Sequence, residues 1–510
     1  MAIRGYLGID CGTQGLSVVL TDEALRVRAV GEGSYDMVPG LADECYEQHP
    51  DDWITALQVA MQDLRTKLAG EEVDVVAIGI SGQMHGEVLV DEAGDALSPA
   101  RLWCDSRNEQ EGHELTERFG VKMPKRATGT RWLWTIRNQS DKAKQVRYIT
   151  TPAGWISYQL TGEWTLGIGD AAGMFPIDQS TLDYSKPLLD SFNQLVADAG
   201  VQNLDELLPA VRTAGQDGGS LSSDGAELLG LTTGIPVAPA EGDQPAALTG
   251  SLIGSAGFVS CSFGTSVCAN SVGDGPFQGV SEAVDHFCAP DGKPINMVCL
   301  RNGTTYMNSI VEMFGDVIPN DESGFATLMP KLLEADEDCG GLLALPFMDD
   351  EPGLGVSRGG TAMIVGLTAE NAKPGNVVKA ALLSTMFNLK LGSEDLDAQG
   401  YPRVELILTG GLTKTPELAQ LLADVFDAPV TLPESAEEGT AWGAALMAKF
   451  RSIIVDGQNE DWASFLTSHQ GSSDRRFTPN PASVEAYNSV YQRYKRLVSV
   501  QAKMDEAISG

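Results

Sequence analysis

Phe258-Val259-Ser260-Cys261-Ser262-Phe263-Gly264-Thr265-Ser266-Val267-Cys268 reads as an apolar strand, a Gly-Thr turn and a second apolar strand. The same order occurs near the start of the chain. Tyr6-Leu7-Gly8-Ile9 is apolar, Asp10-Cys11-Gly12-Thr13-Gln14-Gly15 is turn chemistry, and residues 16–20 are apolar again. A further turn at Thr21-Asp22-Glu23 leads to a third strand over 25–30. Glycines at such turns let backbone approach a ligand, and successive N–H groups beside a Thr hydroxyl can form an anion nest. Taken singly, each stretch is also an ordinary hairpin. Taken together, they predict an α/β chain of two related halves, 1–248 and 249–510, facing each other across a cleft. Neither turn is a P-loop, because no Gly-Lys-Ser/Thr follows, and neither has the GxGxxG dinucleotide pattern.

Between the two hairpins stands Glu241-Gly242-Asp243-Gln244-Pro245-Ala246-Ala247. The apolar run Ile235-Pro236-Val237-Ala238 predicts a strand that gives out through small residues, with helix-like sequence after it. An aspartate at that corner is placed to act as a general base toward a cleft. It is equally suited to cap the helix, with Pro245 in the first turn.

Elsewhere in the first half, residues 50–68 have the spacing of an amphipathic helix, with Trp53, Ile54, Leu57 and Met61 on one side. Residues 73–80 read as a buried strand ending in Ser81-Gly82-Gln83-Met84-His85-Gly86, ahead of a short strand at 88–90. Gln83 and His85 are polar groups at a strand end, where α/β proteins place ligand contacts, although His85 also suits a structural role. In Leu102-Trp103-Cys104-Asp105-Ser106-Arg107 the acid and the arginine form either a salt-bridged turn or polar contacts for a hydroxylated substrate. The tryptophans of Arg131-Trp132-Leu133-Trp134 read as core before sugar-stacking. Asp170-Ala171-Ala172-Gly173 is a small-residue loop with one acid.

In the second half, helices are predicted over 304–314 and 377–391, with a Gly-rich loop at 349–360 before a strand at 362–365. A strand over 404–408 runs into Gly410-Gly411-Leu412-Thr413-Lys414-Thr415-Pro416, and a glycine pair between a strand and a helix N-terminus suits a nucleotide. A strand at 429–432 leads to Glu437-Glu438-Gly439-Thr440-Ala441, the start of a small-residue helix, and a terminal surface helix is predicted over 483–507.

Composition limits the function. A chain of 510 residues is too long for one core, and 43% hydrophobic with 21% charged residues is ordinary for a globular protein. Seventy acidic against 35 basic residues give a net charge of −35. Such a field repels nucleic acid and anionic membrane, and a bound anion such as ATP needs backbone N–H groups and a metal ion to offset it. There is no run long and apolar enough for a transmembrane helix and no signal-peptide pattern at the start, so the expected location is the cytoplasm. The eight scattered cysteines contain no CxxC pair and are expected to be reduced thiols.

The ordered motifs resemble those of the FGGY carbohydrate kinases, most closely the xylulokinase members. Gly8-Ile9-Asp10-Cys11-Gly12-Thr13 is similar to the family's first phosphate motif, and Ser262-Phe263-Gly264-Thr265-Ser266 to its second. Ser81 to Gly86 resembles the xylulokinase substrate motif, Trp103 to Arg107 the Trp-x-Asp-x-Arg that follows it, and Asp170 to Gly173 the later Asp-Ala-Ala-Gly. Gly242-Asp243 falls where the family has its catalytic aspartate, and Gly410-Gly411 and Glu438 to Ala445 resemble the adenosine-side segments.

The resemblance implies two ribonuclease-H-like domains of the actin-type ATPase superfold, N-terminal 1–248 for sugar and base and C-terminal 249–510 for nucleotide. It implies Mg-ATP-dependent phosphorylation of a ketopentose, foremost D-xylulose, with D-ribulose, a pentitol and glycerol as alternatives. By the same resemblance Asp243 is the base and Asp10, with Asp243, holds Mg²⁺. Gln83, Met84, His85, Asp105, Arg107 and Gln244 contact the sugar, and Gly12, Thr13, Gln14, Gly264, Thr265, Gly410, Gly411 and Thr415 contact ATP. A homodimer is common in such kinases.

Four positions depart from the pattern. Gln244 stands where xylulokinases usually have Asn and glycerol kinases Gln; Arg131 replaces a Lys, Ser384 an acid, and Gln14 a Ser or Thr. These bear on the substrate more than on the reaction. An actin-like or chaperone-like ATPase switch, or a sugar-binding regulator without catalysis, would keep the two hairpins but needs neither Gln-Met-His-Gly nor Asp243 as base.

Overall fold

The computed structural model describes residues 3–316, 324–433, 439–471 and 475–501. The apolar runs of the first hairpin form β1 (Ile3–Cys11), β2 (Gly15–Asp22) and β3 (Val27–Ser34), each antiparallel to its neighbour. Helix α1 (Pro50–Lys67) begins with Pro50 in its first turn beside Asp51 and Asp52, and ends with Arg65 and Lys67, matching the charge of each helix end. It buries Trp53, Leu57 and Met61 against β2 and β3. Strand β4 (Val73–Gly82) runs parallel to β1, and β5 (Glu241–Gly242) runs parallel to β4. The sheet order is β5-β4-β1-β2-β3.

The strand predicted at 235–238 is only partly formed. Val237 makes an isolated bridge to Ile78, and regular pairing waits until Glu241. Pro236 and Pro239 have no N–H to give to a ladder, so the segment cannot pair continuously. Helix α2 (Ile168–Met174) lies across this edge, and α3 (Asp243–Gly250) follows β5 directly.

The second half repeats the plan with β6 (Phe258–Phe263), β7 (Val267–Val272), β8 (Val284–Cys288), β9 (Pro294–Leu300), β10 (Glu405–Gly410), β11 (Val430–Leu432) and β12 (Arg475–Phe477). Their order is β8-β9-β7-β6-β10-β11-β12. Its middle, β9-β7-β6-β10-β11, has the order and directions of β3-β2-β1-β4-β5: an antiparallel hairpin whose first strand pairs parallel with a later strand. The echo of the two Gly-Thr hairpins is therefore an architectural repeat.

Helix α4 (Thr305–Gly315) follows the second turn region, and α5 (Pro374–Gly392) is buried on nearly every side, as its all-round apolar sequence requires. Ser384 bonds back to the Ala381 carbonyl of its own helix at 2.7 Å. Helix α6 (Leu418–Phe426) covers β11 and α7 (Gly439–Val455) returns to the first sheet, packing on β1 and β4; α8 (Pro481–Val498) closes the second half. Glu437, Glu438 and the expected helix beyond 501 lie outside the described residues.

The approach of α7 depends on two glycines. A Cβ on Gly8 would collide with the Ala441 carbonyl, and one on Gly79 with the Ala444 carbonyl. The reading of eight reduced thiols is corrected at one place: Cys268 and Cys299 are joined as a disulfide. They are cross-strand partners on β7 and β9, a neighbourhood that a separation of 31 in the chain does not reveal. Among the described residues no helix is long and apolar enough to cross a membrane.

Candidate active site

The carboxyl ends of β1, β4 and β5 form one edge. Register places Asp10 beside Ser81 and Ser81 beside Glu241, with Cys11, Gly82 and Gly242 in the next row. Such strand ends are where α/β sheets present ligand groups. Asp10 accepts a hydrogen bond from Ser81 Oγ at 2.7 Å and another from Thr440 Oγ1 on α7; burial raises its pKa against both. Thr440 and Ser81 lie inside quoted motifs, yet their roles come from tertiary structure: the pairing of β1 with β4 for Ser81 and the packing of α7 on the sheet for Thr440.

Asp243 is not the helix cap. Gly242 holds that position and Asp243 is the first residue of α3, so its carboxyl is free of capping. Burial pushes it up to about 7, with further pressure from Asp10 and Asp170 and partial relief from the Gln244 backbone and side chain. A carboxyl in that range is a base poised near neutrality.

Two fully buried carboxyls stand nearby, Asp170 and Glu241. Burial pushes Asp170 up to about 7, although Thr151 Oγ1 donates to it at 2.6 Å and the His85 backbone N–H donates too. Burial raises Glu241 well above the ordinary range; it accepts N–H groups of Gly169 and Asp170, at 3.2 and 2.9 Å, from the first turn of α2. The sequence reading passed over Glu241, whose signal was its place beside Asp243. It also passed over Arg126, whose buried guanidinium is lowered to about 10 by desolvation, with Asp243 opposing the shift.

The expected sugar contacts separate into three groups. His85 lines a cleft with Arg126, Ala172, Gly173 and Phe175. Its backbone is left-handed, φ 64°, and its ring lies where any Cβ on Gly173 would stand, which is why the small-residue loop faces it. Gln83 and Met84 are buried supports instead. Gln83 Nε2 donates to Gln48 Oε1 at 2.9 Å, and Gln48 Nε2 donates to the Thr13 carbonyl at 2.7 Å, so Gln83 holds the first turn from beneath. Met84 packs against Gly242, under the catalytic corner. Asp105 and Arg107 form the salt-bridged turn: Arg107 binds Asp105 and Glu47, and the fully buried Asp105 also accepts the Tyr46 N–H at 2.9 Å. Their charges are paired with each other, through Nε and Nη2 of Arg107. Gln244 spans the halves, its Oε1 accepting from Asn270 Nδ2 on β7 at 3.1 Å. Trp132 is core, as expected, and Trp134 is covered by the Arg101 and Arg107 guanidiniums.

The same cleft is walled on its other side by Phe277, Asp285, His286 and Asn296 of the second half. Lys122 and Arg126 both reach Asp285 across it, the former at 3.0 Å.

The expected nucleotide residues lie on two turns and a corner. Gly12, Thr13 and Gln14 form the β1–β2 turn, where Trp103 Nε1 donates to Thr13 Oγ1 at 3.0 Å. Gly264 and Thr265 form the exposed β6–β7 turn, and β6 pairs with β10 so that Phe263 lies beside Gly410. Gly410 has φ 78° and Gly411 opens a short 3-10 turn, with Thr415 at its end. The second turn and the glycine corner are thus neighbours. Among the described residues no group of three or more His, Cys, Asp or Glu side chains could hold a metal.

Comparison with known proteins gives a match along the chain. The N-terminal domain model of the FGGY family of carbohydrate kinases matches residues 5–250, and the C-terminal domain model matches residues 259–451. A xylulose kinase of Haemophilus influenzae is 28% identical over 510 residues, covering 96% of this chain and 98% of its own. A crystal structure described as a xyloylose kinase from Brucella ovis superposes with a TM-score of 0.82 at 25% identity, over 98% of this chain and 99% of that one. Plasmodium falciparum glycerol kinase with ADP superposes at 0.80 with 20% identity, over 98% of each chain, a likeness of fold alone.

Proposed function

This chain belongs to the FGGY family of carbohydrate kinases and is an ATP-dependent sugar kinase, and from that premise we propose that it phosphorylates the terminal hydroxyl of D-xylulose to give D-xylulose 5-phosphate. The observation that carries the chemistry is Asp243, uncapped at the start of α3, raised to about 7, and within electrostatic reach of both Asp10 and the arginine that lines the cleft. The support for D-xylulose is the xylulose kinase of Haemophilus influenzae, similar along nearly its whole length.

In this reading the N-terminal half, 1–248, supplies base and sugar contacts, and the C-terminal half, 249–510, supplies nucleotide contacts. Asp243 accepts the proton of the attacking hydroxyl. Arg126 and His85 orient the ketose in the cleft. Phosphoryl transfer asks for positioning and charge neutralisation more than covalent chemistry. Thr13 and Thr265, with the N–H groups of their turns, hold the phosphates of ATP, and Gly410 and Gly411 make room for its adenosine side.

Asp10 fits magnesium: it is a buried carboxyl whose described partners are two hydroxyls, and it lies close enough to Asp243 to raise it. One or two carboxylates completed by water and phosphate are the usual protein share of a magnesium site. Bound there, the ion would neutralise charge on the phosphates. Closure of the halves excludes water, so that ATP is not spent on hydrolysis.

The test is ADP release from Mg-ATP, first without acceptor and then with D-xylulose, D-ribulose, ribitol and glycerol. Strong stimulation by D-xylulose is expected. Stimulation by glycerol instead keeps the mechanism and moves the substrate, with Gln244 the residue to exchange for Asn. Hydrolysis independent of any acceptor overturns the kinase assignment for this site.

A further inference from the structure

The sugar contacts expected from the motifs all come from the first half, yet the cleft has a second wall. His286 lies on β8, beside Asp285 and opposite Asn296 of β9. His286 Nδ1 is 2.8 Å from Asn296 Oδ1. With the Asn296 amide oxygen turned toward it, Nδ1 carries the proton and, in the neutral ring, Nε2 is left as an acceptor. Burial, and the Lys122 charge nearby, hold the ring below its ordinary pKa and so keep it neutral. Nε2 is buried and has no hydrogen-bond partner among the described residues. Phe277 stacks on the ring, with centroids 4.8 Å apart, and fixes its plane. A buried polar atom with a locked orientation and no partner, in the wall of a ligand cleft, calls for a donor from the ligand.

Its position says which donor. On the sheet, β8 is two strand spacings from β7 and three from β6, the strands that carry the second phosphate turn, roughly 10–14 Å at the usual separation, and His286 lies level through Asn296 with Ser271, well along β7 from the turn. His286 is therefore remote from the transferred phosphoryl group. It is nevertheless joined to the catalytic corner, because its neighbour Asp285 binds Arg126, which faces Asp243.

We infer that His286 is a substrate-binding and specificity residue supplied by the second half, its Nε2 accepting a hydrogen bond from the ketose hydroxyl at the end remote from the phosphorylated carbon. This rests on the reading of the cleft as the sugar site. It makes the closed arrangement part of recognition: the first half holds the reacting end, and the second half reads the other. A site built around an acceptor rejects an analogue lacking the donor, by an amount that reflects the bond lost.

The experiment is steady-state kinetics on D-xylulose and 1-deoxy-D-xylulose with the full-length protein, its His286→Ala variant and its His286→Gln variant. The wild type should lose roughly five- to tenfold in kcat/KM on the deoxy sugar, the range of one net hydrogen bond. His286→Ala should lose about the same on D-xylulose, nothing further on the deoxy sugar, and nothing in KM for Mg-ATP. His286→Gln, which restores an acceptor oxygen, should regain part of the loss. Equal deoxy penalties in wild type and His286→Ala overturn the inference, as does a variant whose sugar and ATP constants fall together. If another acceptor in the panel is the substrate, the pair becomes that compound and its deoxy analogue at the remote end. If none stimulates ADP release, the reading of the site fails, and the inference fails with it.

Discussion

Asp243 holds its carboxyl in a place that favours the neutral form, and the consequences run in opposite directions for activity and stability. The group must be ionised to accept a proton. With its pKa raised to about 7, kcat/KM should rise with pH through that range and fall below it, read from a pH–rate profile at saturating Mg-ATP. For stability the ordinary value is 3.8 and the folded value about 7. Above both, the fold carries the whole cost of a desolvated charge, and the cost shrinks as pH falls through 7 and the folded carboxyl takes up its proton. Asp243→Asn should therefore lower kcat by about 10²–10⁴ while leaving ATP binding intact. The same variant should melt a few degrees higher at pH 8, on the order of that removed cost, with a smaller difference at pH 5. Near-normal turnover would mean that another group is the base. Asp170 and Glu241 share the same buried neighbourhood, so the profile belongs to the cluster and broadens accordingly.

Helix α7 is the element on which the first half's site depends. Its small residues let it lie directly on Gly8 and Gly79, and that approach brings Thr440 to Asp10. Gly79→Ala should force the helix outward, costing about 1–3 kcal/mol in urea unfolding, the usual range for overpacking. Because Thr440 moves with the helix, kcat should fall as well, while an alanine at Gly315, which meets nothing and has no left-handed φ, should leave kcat unchanged. The small-residue helix was legible from Gly439-Thr440-Ala441-Trp442-Gly443; its target was not, since it lies in the other half of the chain. The strand at 235–238 was misread for a related reason: apolar content suggested a ladder, but Pro236 and Pro239 cannot donate to one.

At the scale of the molecule, two acidic halves are held around a cleft in which Lys122 and Arg126 converge on Asp285. These are partly buried, charge-assisted contacts that link the two halves across the opening and weaken with salt. Asp285→Ala should loosen the closed state, raising KM for the sugar on the order of tenfold and increasing acceptor-independent ATP hydrolysis as water enters. Small-angle scattering with sugar and a non-hydrolysable ATP analogue should show a smaller contraction than in the wild type. An unchanged KM and unchanged contraction would reduce the contact to a surface pairing.

The local order was legible in the amino-acid sequence: two strand–Gly-Thr–strand hairpins, an aspartate at a strand-to-helix corner between them, and the motifs that share those turns. Those signals depend on neighbours a few positions apart, where alternation, turn chemistry and capping act. Which polar groups remain free follows from packing between distant parts of the chain. It committed Arg107 to Asp105 and Glu47, put Gln83 and Met84 beneath the surface, joined Cys268 to Cys299, and brought Thr440, Arg126 and His286 to the site. Burial and pairing are properties of residues far apart in the chain that meet across a sheet or a cleft, and a single sequence does not carry those distances.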